Sequence, residues 1–198
     1  MIGLLTAAAI TGAFGLTWGQ EPAAVEAILA KGGYKLHGKV NCGLKVFEGP
    51  VSVGPLTFKH AGLIPWYAPA GGLTIVEARL LPENSAPRAF EELALHLAAT
   101  YDAPQSFSFF HLDQRHHKTG SAVSALTLDE PTRNALDHQF ETGALTAQGQ
   151  VHLPSHGVLA SGAGLRLAIP PGRGYVTLHY FAETDLAEEL LSMCADAR

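Results

Sequence analysis

Short extended segments separated by glycine- and proline-containing turns recur along this 198-residue chain, and they constrain its fold more than any other feature. In YKLHGKV, residues 34–40, apolar and polar side chains alternate as they do in a half-buried strand. LKVFEG, LTFKH, GLTIVEARLL and QSFSFFHLD follow as further predicted strands, and after a restart of the pattern come ALTAQGQVHL, LRLAI and YVTLHYF. Strands in such succession predict antiparallel meanders.

Helical segments flank both groups of strands. EPAAVEAILAKGG has Pro22 at the first helical position and stops at Gly32 and Gly33. SAPRAFEELALHLAATYDAP offers Ser85 as the N-cap, and its apolar side chains fall on one stripe. DEPTRNALDHQFETG and TDLAEELLSMCADA predict two further helices. The predicted stripe consists of Phe90, Leu93, Leu97 and Tyr101.

The order helix, about three strands, helix therefore occurs twice, within residues 1–112 and 129–198. The two halves share this order but no clear sequence similarity. We expect an α+β fold of one domain, residues 1–198, with antiparallel sheet(s) and the helices packed on one face.

Charge is sparse. Charged residues make up 16% of the chain and the formal net charge is −5. This balance argues against free nucleic acid as a partner, and the low charge density leaves room for a weakly polar contact face. No apolar run is long enough to predict a membrane span.

The two cysteines and the N-terminus predict the compartment. Cys42 and Cys194 lie far apart and form no CxxC pair, which favours two buried free thiols over a disulfide. The apolar start of the chain has no basic residue before Lys31, unlike a secretory signal. We expect a cytoplasmic protein, with a periplasmic one as the less favoured alternative.

HLDQRHHKTG, residues 111–120, is the one candidate metal site. His111 and Asp113 share a face of a predicted strand, whereas His116 falls in the following turn. These three could converge on zinc only if the loop folded back, since a zinc site needs three or four ligands in near-tetrahedral geometry. We therefore expect a polar strand end without a metal, and keep a metal-dependent hydrolase as the alternative.

Other catalytic constellations are missing from the sequence. It contains no GxSxG elbow and no phosphate-binding GxxxxGK[ST] loop, and SGAGLRL lacks the context of a dinucleotide site. His179, in YVTLHYF, is interpreted as a packed histidine rather than a base. The sequence thus favours a protein that is not an enzyme and needs no cofactor.

A contact surface is predicted around Trp66 and Tyr67. These aromatic residues lie between Pro65 and Pro69 in the segment 49–72, which has no strong period, and we expect them near the tip of a loop. Large rigid side chains and arginine are typical of binding surfaces, so Trp66 and Tyr67 are the leading candidates. His111, Asp113 and Arg173, the last in the predicted turn PPGRG, complete the candidate binding residues. The alternative is that Trp66 folds inward and fills the end of the core.

Three segments of the chain resemble the BamE-like group of small bacterial helix-and-sheet modules. They are FGLTWGQEPAAVEAIL, HLAATYDAP and LRLAIPPGRGYVTLHYF. Trp18 and Gly19 match, but Gln20 replaces the usual Met and Asp102 stands where Gly is expected. The group includes outer-membrane assembly lipoproteins and putative immunity proteins of toxin systems. The resemblance implies a protein that binds another protein, such as a toxin domain. An immunity or inhibitor protein is the leading hypothesis, and a scaffold or assembly factor is the alternative; the oligomeric state stays open.

Overall fold

The computed structural model describes residues 11–83, 85–101, 105–112, 118–124, 145–151, 164–169 and 174–195. Its helices are α1 (Pro22–Lys31), α2 (Ala86–Tyr101) and α3 (Thr184–Ala195). Its strands are β1 (Gly12–Ala13), β2 (Leu16–Thr17), β3 (Lys35–Lys39), β4 (Lys45–Val53), β5 (Leu56–Tyr67), β6 (Leu73–Leu81), β7 (Gln105–Leu112), β8 (Lys118–Ser124), β9 (Leu145–Val151), β10 (Gly164–Ile169) and β11 (Val176–Phe181).

Nine of the described strands form one sheet in the order β3-β4-β5-β6-β11-β10-β9-β7-β8, and every neighbouring pair is antiparallel. β1 and β2 pair as a separate hairpin. β6 pairs with β11, and β7 pairs with β9, so strands of residues 1–112 contact strands of residues 129–198 at two places in the sheet. The predicted antiparallel α+β class is therefore confirmed. The similarity of the two halves stays a prediction, because the helix predicted within 129–143 lies outside the described residues.

The helix ends follow the predicted signals. Pro22 is at the start of α1, and the amide of Gly32 caps its end by donating to Ile28 O at 2.9 Å. Ser85 Oγ accepts a hydrogen bond from the amide of Arg88 at 3.3 Å at the start of α2. This bond satisfies one of the amides that a helix leaves unpaired in its first turn.

β5 begins at the predicted strand LTFKH but extends through the region where a loop tip was expected around Trp66 and Tyr67. It continues through Tyr67, and its residues 61–66 are all buried. A strand buried on both faces shows no alternation of apolar and polar residues, so its period is hidden in the sequence. Pro65 breaks the signal further, and the register with β6 shifts just after it, between Trp66 and Tyr67.

The sheet buries side chains on both faces. Leu63 and its cross-strand partner Ala78 face one way and pack in a cluster with side chains of α1 and α2. Ile64 and Trp66, on alternate positions, face the other way and pack with α3. We call these the α1/α2 face and the α3 face. The expected packing of all helices on one face is thus not what the structure has, because α3 covers the opposite side.

A disulfide joins Cys42 to Cys194, which corrects the prediction of two free thiols. The two cysteines are 152 residues apart in sequence, yet their Cα atoms are 5.8 Å apart. Cys42 belongs to the short 3-10 helix Asn41–Gly43 between β3 and β4, and Cys194 belongs to the last turn of α3. The bond therefore ties the end of α3 to the turn at one edge of the sheet.

Candidate functional site

Trp66 is part of the core rather than of an exposed loop. Its side chain is 7% exposed and packs on the α3 face with Ile75, Phe181 and Ala187. Its Nε1 is buried and has no hydrogen-bond partner among the described residues. The structure therefore favours the alternative in which Trp66 fills the core, and a contribution of Trp66 to partner binding stays a prediction.

Tyr67 lies on the opposite face from Trp66, because neighbouring residues of a strand point in opposite directions. Its half-buried ring packs against the cluster on the α1/α2 face. Its hydroxyl is buried and, among the described residues, no group forms a hydrogen bond with it. The structure thus separates the two aromatic side chains that the sequence placed on one surface.

The candidate metal site falls mostly outside the described residues. His111 is in β7, opposite Thr119 of β8 and Leu145 of β9. Asp113 and His116 lie outside the described residues, and so does Arg173. Within the described part of the chain, no group of three or more His, Cys, Asp or Glu residues could hold a metal ion. The metal-free strand end and the hydrolase alternative both stay predictions.

A cavity of about 230 Å³ lies beside Tyr67, between α1 and the sheet. We call it the Tyr67 cavity. Most of its wall is apolar, and Glu26, Lys45 and Tyr67 are its polar lining residues, although the hydroxyl oxygen of Tyr67 is itself buried. A mostly apolar cavity with a few converging polar groups is the usual form of a small-molecule site. Its lining residues are Pro22, Glu26, Gly43, Leu44, Lys45, Phe47, Pro65 and Tyr67.

The polar groups of the Tyr67 cavity influence one another. Lys45 Nζ donates a hydrogen bond to Glu26 Oε1 at 2.6 Å. Burial, and to a smaller extent the negative charge of Glu26, raise the pKa of the Tyr67 hydroxyl to about 12. Tyr67 therefore stays protonated at neutral pH and is a hydrogen-bond donor. Sequence reasoning picked out Tyr67 but missed Glu26 and Lys45, which only the packing of α1 against β4 brings to the same cavity.

β3 forms one edge of the nine-stranded sheet and pairs only with β4. Its exposed side chains are those of Lys35, Leu36, His37 and Lys39, which we call the edge-strand surface. Leu36 is 58% exposed, which is more than any other large apolar side chain in the described part of the sheet. No described strand lies beside the outer side of β3, so among the described residues its backbone amides and carbonyls on that side are free to pair with another chain.

The charges on this surface are only partly neutralised. Lys39 lies opposite Lys45, whose charge is neutralised by Glu26. His37 Nδ1 is 3.1 Å from Glu48 Oε2. Neither Lys35 nor Lys39 forms an ion pair with a described residue. The edge-strand surface therefore carries unpaired positive charge on a chain whose formal net charge is −5.

A buried polar cluster lies on the α3 face. Glu77 of β6 is opposite His179 of β11, and its Oε2 is 3.6 Å from His179 Nε2. Arg79 Nε donates to Glu77 Oε1 at 2.7 Å, and the Arg79 guanidinium lies 6.0 Å from the centre of the Tyr175 ring. Burial alone would raise the pKa of Glu77, but His179 and Arg79 outweigh it and lower that pKa to about 2.

This cluster explains why His179 packs rather than faces solvent, as the sequence analysis expected. Sequence reasoning missed Glu77, although a carboxylate inside the apolar run GLTIVEARLL was a usable signal, since a buried charge needs a partner. The cluster does not line the Tyr67 cavity. Its chemistry is that of a buried carboxylate that Arg79 of the same strand neutralises and that lies beside His179 of β11.

No described helix of the chain has the length and apolar character needed to cross a membrane. No family model, no curated protein and no solved structure matches the chain.

Proposed function

We propose that this chain is a non-enzymatic protein that binds another protein, and specifically an immunity or inhibitor protein that neutralises a bacterial toxin. The observation that supports protein binding is the edge-strand surface of β3. The identity of the partner as a toxin rests on the resemblance to BamE-like modules and stays an expectation.

An added strand is the mode of binding that fits this surface. An extended partner segment can pair with the free backbone groups of β3, which provides affinity, while side-chain contacts provide specificity. Leu36 offers an apolar contact that is already exposed in the free protein. Edge lysines also discourage unwanted pairing between sheets, so a productive partner must compensate for Lys35 and Lys39. We therefore expect an acidic partner segment with an apolar residue that covers Leu36.

The proposal includes an oxidising compartment such as the periplasm. The cytoplasmic prediction depended in part on two free thiols, whereas Cys42 and Cys194 form a disulfide. Disulfides persist mainly in oxidising compartments and are rare in the cytosol of mesophiles. The periplasmic alternative is therefore the one we propose.

The experiment uses the protein encoded beside this chain. That protein is produced alone and together with this chain, and toxicity is read as loss of growth. We expect co-production to restore growth and the two purified proteins to form a complex measurable by calorimetry. Leu36→Asp should weaken the complex at least about tenfold, or ~1.4 kcal/mol, because it replaces an apolar contact with a charge that repels an acidic segment.

Leu81→Asp is the matched control. Leu81 is 49% exposed, close to the 58% of Leu36, but it ends β6 inside the sheet rather than on the β3 edge. Its replacement should leave the affinity unchanged. A neighbouring gene that encodes no toxin would contradict the toxin identity. Equal affinities of Leu36→Asp and the unmodified chain would contradict binding at β3.

A further inference from the structure

We propose that the Cys42–Cys194 disulfide controls the edge-strand surface: the oxidised chain holds β3 as an ordered strand beside β4, and the reduced chain releases it. The inference rests on the proposed function, because the surface that the disulfide controls is the one proposed to bind the partner. Three observations carry the argument: β3 has no buried side chain, the chain is anchored on both sides of it, and one anchor is a disulfide with an exposed cysteine.

β3 receives little support from the core. None of its side chains is buried, and among the described strands it pairs only with β4. The register of this pairing shifts between Leu36 and Gly38. The ion pair of His37 with Glu48 joins two exposed side chains, and such pairs add little stability. A strand that pairs on one side and buries no side chain is marginal unless the chain around it is fixed.

The chain before β3 is fixed by Tyr34. Its amide donates to Leu29 O of α1 at 3.0 Å, and its hydroxyl donates to Pro50 O of β4 at 2.8 Å. Its ring packs against the apolar cluster of the α1/α2 face. This anchor does not involve the disulfide, so it holds the first end of β3 in both redox states.

The chain after β3 is fixed by the turn that contains Cys42. The amide of Gly43 donates to Val40 O at 3.0 Å, and the amide of Val40 donates to Leu44 O at 2.9 Å. Cys42 has a φ of 60°, in the left-handed region that is unfavourable for a residue with a side chain. Val40 and Leu44 pack against the apolar cluster of the α3 face, as does Cys194 at the end of α3.

The second anchor depends on the disulfide. An unfavourable backbone conformation persists only where the surrounding structure enforces it, and the cross-link does so at Cys42. Reduction also frees the end of α3, in which Ala187 is the one fully buried residue among the described side chains. The turn then relaxes, and β3 is left with its anchor at Tyr34 alone.

The redox step is a thiol–disulfide exchange with a second protein that carries a disulfide. Cys42 is exposed and Cys194 is partly buried, so Cys42 is the residue that reacts first. Its thiolate attacks one sulfur of the oxidant and releases the other, and the Cys194 thiolate then displaces the oxidant from Cys42. Two electrons and two protons pass from the chain to the oxidant, which becomes a dithiol. A dithiol reductant reverses both steps.

The experiment measures backbone order by ¹⁵N relaxation NMR in the oxidised chain, in the chain reduced with dithiothreitol, and in the double variant Cys42→Ser with Cys194→Ser. In the oxidised chain, the amides of residues 35–39 should have order parameters of about 0.85, as in a rigid strand. In the reduced chain and the double variant they should fall below about 0.6, while β5 and β6 stay near 0.85. Dithiothreitol should not change the double variant.

Leu97→Ala is the matched control for a general loss of stability. Leu97 is a buried residue of α2 on the α1/α2 face, and its replacement lowers the melting temperature by leaving a cavity. Because the disulfide is intact in this variant, β3 should stay as ordered as in the unmodified chain. Loss of order in β3 here would overturn the inference, since β3 would then respond to any destabilisation.

The second measurement is the affinity for the protein encoded beside this chain, compared by calorimetry between the oxidised chain and the double variant. An ordered β3 in about a tenth of the molecules raises the apparent dissociation constant about tenfold, which is the smallest loss we expect. Equal affinities, or unchanged order of β3 on reduction, would overturn the inference and leave the proposed function intact. No complex in either state, with β3 mobile only without the disulfide, would support the inference and contradict the proposed function.

Discussion

The Cys42–Cys194 disulfide supports a quantitative prediction about stability. It joins the turn between β3 and β4 to the last turn of α3, and it closes a loop of 152 residues. Replacing both cysteines, as Cys42→Ser with Cys194→Ser, releases that loop without leaving a reactive thiol. Reduction of the unmodified chain is the equivalent chemical perturbation.

The magnitude follows from the length of the loop. In the chain-entropy treatment, a cross-link over 152 residues lowers the entropy of the unfolded chain by about 17 cal/mol/K, or about 5 kcal/mol at 25 °C. Measured losses on removal of a native disulfide are typically about 2–5 kcal/mol. We therefore expect the free energy of unfolding to fall by ~3–5 kcal/mol. For a chain of this length, this corresponds to a melting temperature lower by roughly 6–20 °C.

The assay is a thermal melt with and without reductant, together with titration of free thiols in the denatured, unreduced protein. Hydrogen exchange adds spatial detail. α3 should lose more protection than α2, because Cys194 anchors the end of α3 to the sheet whereas α2 is held by its own apolar stripe.

The double serine variant serves as the control for the reductant. Reductant should lower the melting temperature of the unmodified chain and leave that of the variant unchanged. Two free thiols per chain before reduction, or a loss smaller than about 1 kcal/mol, would refute the reasoning that this bond restricts the unfolded chain.

Three further predictions concern the core and the histidine segment. Trp66→Ala should lower the free energy of unfolding by ~3–5 kcal/mol because it empties a buried site. Trp66→Phe should lower it much less, because Nε1 has no described partner to lose. A thermal melt compares the two variants, and equal melting temperatures for Trp66→Ala and the unmodified chain would contradict core packing. Glu77 has a pKa of about 2 in the folded chain, below its ordinary value of 4.5. Its contribution of roughly 3 kcal/mol to the free energy of unfolding is therefore present above pH 4.5 and lost as the pH falls from 4.5 to 2. Urea unfolding between pH 6 and pH 2 checks this, and the same dependence of unfolding free energy on pH in Glu77→Gln would contradict it. EDTA should leave the melting temperature unchanged, and elemental analysis should find no stoichiometric zinc, manganese or iron; one metal per chain, lost in His111→Ala, would contradict this.

Local sequence signals were sufficient for the elements that carry them. Pro22 and Gly32 bound α1, and Ser85 caps α2, as the sequence predicted. The alternation in YKLHGKV predicted the strand β3, but it predicted a half-buried strand, whereas the structure leaves Leu36 exposed together with Lys35 and His37. These features depend on a few neighbouring residues, and the physics of capping and strand formation acts over the same short distance.

β5 shows why a local signal can fail. Its residues 61–66 are buried on both faces between β4 and β6, so burial removes the alternation that would mark a strand. Pro65 inside it suggested a loop, but Pro65 lies opposite Val76 within the strand, close to the register shift between Trp66 and Tyr67. Trp66 was therefore assigned to a surface although it fills the core.

The sequence by itself determined the antiparallel α+β class, the ends of α1 and α2 and the sparse charge of the chain. Only the tertiary structure decided which distant residues meet: Cys42 with Cys194, Glu77 with His179, and Glu26 with Lys45 beside Tyr67. The physical reason is the distance along the sequence over which each interaction acts. Periodicity and capping are properties of a few consecutive residues, whereas a disulfide, a buried ion pair and a cavity depend on strand order and on which face each helix covers.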